Sequence, residues 1–114
     1  MKRRAFKKEE REKILSKTHG RCGYCGEELT GRWNVDHMKS LNDGGTNDME
    51  NLMASCFPCN NLKHRAGVEE FRRQVENQIF RMFENVNYRT AFRFGLFEIT
   101  GKKVVFYFER GGAE

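Results

Sequence analysis

All four cysteines of this 114-residue chain fall in two C-x-x-C pairs, Cys22/Cys25 and Cys56/Cys59, with none left over. Two residues between thiols let one short loop present both sulfurs to a single ion, and two such loops complete a tetrahedral set. Where thiols stay reduced, zinc is favoured over disulfides, and a redox C-x-x-C pair is the third reading. The 30 residues between the pairs make a longer loop than the commonest zinc-ribbon spacing. Composition sharpens the constraint: residues 19–67 hold eleven large apolar residues in 49 positions, too few to pack a core unaided. Zinc binding, worth on the order of 10 kcal/mol in small peptide sites, would supply the missing stability.

One compact domain, 1–114, is the expectation, because a chain this short cannot bury two independent cores. It divides into a basic N-terminal helix (1–20), a cysteine-bearing middle (21–67) and a C-terminal extension (68–114). The chain has no run of 18 apolar residues, and its N-terminus is basic without an apolar signal segment, so a soluble, cytoplasmic protein with no membrane partner is expected. Net charge is +5; residues 1–21 carry nine Lys/Arg against three Glu, +6 in all, which leaves −1 for the rest. Such a cluster either solvates a frayed helix or faces a phosphate backbone, where each neutralised phosphate releases counterions.

Residues 7–18 combine good helix formers with Ile14, Leu15 and Thr18 on one side, and His19-Gly20 stops them. Gly23 and Gly26 permit the tight turns of a cysteine knuckle. Arg32–Asp36 alternates like a short strand; a polar loop, Asn42 to Asp48, follows, and Met49–Met53 reads as a second strand or a turn. Pro58 suits a first helical turn, predicting a short helix that Gly67 ends. Apolar residues at 68, 71, 75, 79, 82, 83 and 86 predict one amphipathic helix over five turns. Residues 92–99 and 103–108, joined by Thr100-Gly101-Lys102, predict a β-hairpin. Ten of the fourteen aromatics lie between Phe71 and Phe108 and read as core, with Tyr107 and Phe94 as the rings that could instead stack on bases.

The ordered set G-R-C-x-Y-C-G, Asp36-His37, Gly44-Gly45, Asn51-Leu52 and C-x-x-C-N-x-x-K, from Arg21 to Gly67, resembles the HNH endonuclease family. That resemblance implies an α+β fold: a ββα-metal core with zinc knuckles, flanked here by the basic helix and by the C-terminal helix and hairpin. It also implies a metal-dependent nuclease acting on DNA. By the resemblance His37 is the general base, a role suited to an imidazole near neutral pH. Asp36 and Asn60 supply oxygens to one Mg²⁺ or Mn²⁺, an ion that keeps several waters and needs few protein ligands. In the family the ion bridges the scissile phosphate and stabilises the departing 3′ oxygen, giving 5′-phosphate and 3′-hydroxyl products. Asn51 completes the catalytic set as the residue that fixes the loop and the histidine.

Lys63, one turn beyond Asn60, is expected at phosphate, as are Lys39 and Arg32 beside His37, and Arg3, Arg4 and Lys7 in the basic segment. Many relatives carry His where Asn60 stands, which leaves His64, four residues on, as a rival ligand. His19 is better explained as a helix-ending residue, and Asp43, Asp48 and Glu50 as ordinary loop carboxylates. A non-catalytic zinc module that binds nucleic acid or protein is the alternative to the nuclease, and an RNase shares the same chemistry. A monomer is expected to nick, and a homodimer with two active sites to cut both strands. Restriction, mobile-element and phage settings all fit the resemblance.

Overall fold

The computed structural model describes residues 4–110; Arg3, one of the expected DNA contacts, lies outside the described residues. Helix α1 spans Lys8–Lys17. Glu10 begins it, accepting the Lys7 amide at 2.9 Å and a two-pronged hydrogen bond from Arg4 at 2.9 and 3.0 Å. Residues His19 (φ 56°) and Gly20 (φ 78°) end it, as the sequence indicates. Ile14 is the fully buried residue of the helix. Lys17 anchors the other end, donating to the carbonyls of Met49 and Leu52 at 2.7 and 2.6 Å.

Strands β1 (Asn34–His37) and β2 (Leu52–Ser55) pair antiparallel, with Val35 opposite Ala54 and Asp36 opposite Met53. Alternation along the strands puts Val35 and Ala54 on one face and Asp36 and Met53 on the other. The first face closes against Ile14, with Phe6, Leu15 and Trp33 at its margin. The second meets Tyr24, Phe71 and Phe106. Both faces of this two-stranded sheet are therefore covered, a requirement for so small a sheet to persist in water. Helix α2 (Phe57–Lys63) follows β2 directly, with Cys56 as its N-terminal flank and Pro58 in its first turn. The order strand, loop, strand, helix is the small α+β core expected.

The C-terminal third departs from expectation in two ways. The single helix predicted from Val68 is three: α3 (Val68–Glu76), α4 (Gln78–Met82) and α5 (Val86–Arg93). Asn85 makes the second break, adopting extended backbone and accepting the Asn87 amide on its own side chain at 2.8 Å. That local bond is the reason asparagine starts helices rather than continuing them. The predicted hairpin does not form. Phe92 and Arg93 finish α5, and the rings of Phe83, Phe92 and Phe97 gather beside one another at 5.2–6.2 Å.

Residues 104–108 pair instead with the first knuckle, the amides of Tyr107 and Phe108 donating to the carbonyls of Tyr24 and Gly23. Arg72 and Glu76 pin Val104, by its carbonyl at 2.8 Å and its amide at 2.9 Å. An isolated two-stranded hairpin is marginal in water, whereas the slot beside Tyr24 buries Phe106 almost completely. Among the described residues no helix is long and apolar enough to cross a membrane.

Candidate metal centre and buried polar cluster

The four cysteine sulfurs lie within 4.8 Å of one another. Cys25 and Cys56 are 3.8 Å apart, far beyond a disulfide bond. It is close to the ~3.8 Å edge of a tetrahedron whose centre lies ~2.3 Å from each thiolate, the zinc–sulfur distance. Local backbone builds the cradle. Cys22 donates its amide to Glu27 and accepts from the amide of Gly26, which sits at φ 82°. The Glu27 amide points at the Cys25 sulfur at 3.5 Å. The first knuckle is tied to the sheet by the Gly23 amide on the Ala54 carbonyl. The second is the junction of β2 and α2, with Cys59 in the first helical turn.

Crowded sulfurs do not ionise independently. A hydrogen bond from Cys59 holds the Cys22 thiol down to about 4, while burial pushes Cys25 up to about 11. Cys59 is displaced upward, first by its bond to Cys22 and then by burial. The set is arranged to bind a metal, and a cation is what allows several thiolates to coexist at this spacing.

On the α2 side of the sheet sits a buried ionic cluster. Asp36 accepts the Tyr24 hydroxyl at 2.5 Å and the Lys63 ammonium at 3.1 Å, both on Oδ2. Lys63 also reaches Asp36 Oδ1 at 3.4 Å and the His37 carbonyl at 3.0 Å, and its side chain has no exposed surface. Burial pushes the Asp36 carboxyl above its ordinary value, and Lys63 pulls the other way. Tyr24 is displaced strongly upward, by burial first and then by Asp36. Lys63, which the resemblance places at phosphate, has its ammonium turned inward here, where it compensates the carboxylate.

His37 ends β1, and its Nε2 lies 2.8 Å from Asn47 Oδ1. The loop that carries Asn47 is fixed by Asn51. Its Oδ1 accepts the Lys39 amide at 2.9 Å, and its Nδ2 donates to the carbonyls of Lys39 and Thr46 at 3.0 and 2.8 Å. Gly45 passes so close to the strand end that a Cβ there would meet the Lys39 carbonyl oxygen at 1.9 Å. The loop geometry needs that glycine and that asparagine together.

Asn60 lies one turn before Lys63 on α2, partly buried, and its carboxamide has no hydrogen-bond partner among the described residues. His64 adopts φ 51°, closes α2 and is exposed. Arg32, Lys39 and Lys7 are exposed. Arg4 is exposed but paired with Glu10. Two neighbours of the site were not anticipated. Tyr24 was legible as the aromatic within the first knuckle motif; Asn47 sits in a polar loop and carries no distinguishing pattern.

An HNH endonuclease family model matches residues 22–66, a stretch that begins on Cys22 and contains the other three cysteines, Asp36, His37, Asn51, Asn60 and Lys63. No curated protein and no solved structure matches the chain.

Proposed function

We propose that this chain, in which residues 22–66 form an HNH endonuclease domain, is a metal-dependent endonuclease that hydrolyses phosphodiester bonds in DNA. The observation that carries the reading is the placement of His37 at the end of β1, its ring held by Asn47 within a loop that Asn51 locks. With Asn47 Oδ1 accepting, the ring proton sits on Nε2 and Nδ1 is the basic nitrogen, the arrangement a general base requires. His37 takes the proton of the attacking water. Asn51 and Asn47 are positioning residues.

Asp36 Oδ1, whose contact to Lys63 is long, and the unpaired Asn60 carboxamide offer two hard oxygens that suit one Mg²⁺ or Mn²⁺. When bound, such an ion supplies charge to the phosphate and the leaving oxygen. The four cysteines hold Zn²⁺ as a structural centre that fixes the first knuckle to α2. Exposed Lys39, Arg32 and Lys7 serve as phosphate contacts, and Arg4 joins them on release from Glu10. A non-catalytic zinc module is the second reading, favoured by one observation: Lys63 already neutralises Asp36.

Plasmid cleavage with Mg²⁺, Mn²⁺ or EDTA separates the two, with His37→Ala alongside. Nicking or linearisation that needs the metal and vanishes in His37→Ala is expected. Cleavage retained in that variant would overturn the base assignment, and DNA binding without cleavage under either metal would favour the binding module.

A further inference from the structure

The segment after α3 is built differently from the rest of the molecule. Neither α4 nor α5 contributes a buried residue, although both are rich in large apolar side chains. Phe80 is 66% exposed, Val86 59%, Phe94 76% and Leu96 77%, and Tyr88, Phe92 and Ile99 are exposed by 41–45%. All seven lie between residues 80 and 99. Taking about 200 Å² for a fully exposed large apolar residue, they leave on the order of 800 Å² of surface in water. The molecule is correspondingly drawn out, with extents of 50 × 30 × 26 Å and a radius of gyration of 16.3 Å, against the ~13 Å of a compact chain of this length.

Charge decides what covers this surface. Residues 77–100 carry Arg81, Arg89 and Arg93 against Glu84 and Glu98, a net of +1, whereas residues 1–21 carry +6. A face that met the phosphate backbone would concentrate the cations, and the cations are at the other end of the chain. A near-neutral, aromatic-rich face instead suits a contact between identical chains, because one patch supplies both sides of a two-fold interface and any net charge on it would face the same net charge on the other copy. The exposed area is of the size that one partner buries in a stable interface, about 800 Å².

We propose that α4, α5 and the following turn through Ile99 form the contact face for a second copy of this chain, giving a two-fold dimer. The proposal stands independently of nuclease activity, since its readout is mass. Sedimentation velocity on the full chain across roughly 1–100 μM protein, compared with a Phe94→Glu/Leu96→Glu double variant, tests it. Both side chains are mainly in water, so the variant keeps the wild-type circular dichroism, and its melting temperature falls only by what association adds to the wild type. The expected result is a dimer for the wild type and a monomer for the variant at the same concentration. A wild type that stays monomeric to 100 μM overturns the proposal, as does a variant that remains dimeric. Loss of DNA affinity in a variant whose wild type is monomeric would assign the face to nucleic acid instead.

Discussion

Lys63 makes plain how far a residue's type can mislead about its environment. Lysine one helical turn after a candidate metal ligand reads as a phosphate contact, yet its ammonium is buried 3.1 Å from Asp36. A charge in that position has no water to solvate it and depends on the carboxylate. Removing one member of a buried pair leaves the other uncompensated, at a cost of about 3–5 kcal/mol. Lys63→Met is thus expected to lower the unfolding free energy by that amount in urea titrations, and Lys63→Met/Asp36→Asn to recover a large part of it. A double-variant loss equal to the sum of the Lys63→Met and Asp36→Asn losses would show that the pair is not coupled. At the same scale, Asn51 is legible in advance only through its match to the family's signature, and the structure gives the physical reason: its carboxamide ties Lys39 to Thr46. Asn47 is not, since nothing in sequence tells which of several loop amides meets an imidazole.

Elements in this protein stand or fall with their connections. The two strands are four residues each and hold only because both their faces are covered and because the second runs straight into the cysteine-bearing helix. Cys56 is both the end of that strand's connection and the N-terminal flank of α2, so a metal at the four sulfurs locks the strand–helix angle as well as the first knuckle. Cys56→Ser, or zinc removal by chelation, is expected to abolish the cooperative thermal transition of residues 21–67, with zinc content falling to zero in parallel. A zinc-free protein that still melts sharply would show that packing alone suffices. The helix breaks at Asn77 and Asn85 belong to this scale too. Apolar spacing continues through both; at Asn85 the competing signal is the capping bond of the asparagine side chain, which periodicity does not register, whereas Asn77 keeps helical backbone with no side-chain cap.

Across the whole molecule, the apolar-poor middle borrows its core from both ends of the chain. Ile14 from α1 closes one face of the sheet, and Phe71 and Phe106 close the other. Tyr24 meets Phe71 and Phe106 edge to face, each at 5.2 Å, and the latter two stack on one another. Phe106, 35 residues beyond Phe71, is therefore a core residue of the domain that precedes it. Phe106→Ala is expected to cost about 3–5 kcal/mol, and to loosen the Tyr24–Asp36 contact through the cavity it leaves. Unfolding by denaturant measures the first effect. A loss below about 1 kcal/mol would mean that residues 104–110 are not part of the folding unit.

Sequence by itself determined the metal-binding character of the four cysteines, the basic first helix, the first strand and the short helix after Cys56, because each depends on spacing over a few residues. Local pattern left Met49–Met53 open between strand and turn, and only the resemblance implied the second strand. Tertiary structure alone decided where the aromatic C-terminus goes. Residues 103–108 have the composition of a strand, and composition cannot say whether that strand pairs with its neighbour or with a knuckle some 80 residues earlier. The open slot beside Tyr24, formed only when the sheet, the cysteine loops and α3 come together, offers Phe106 more burial than a free hairpin could. The same closure turned Lys63 inward and left the aromatic face of α4 and α5 in water.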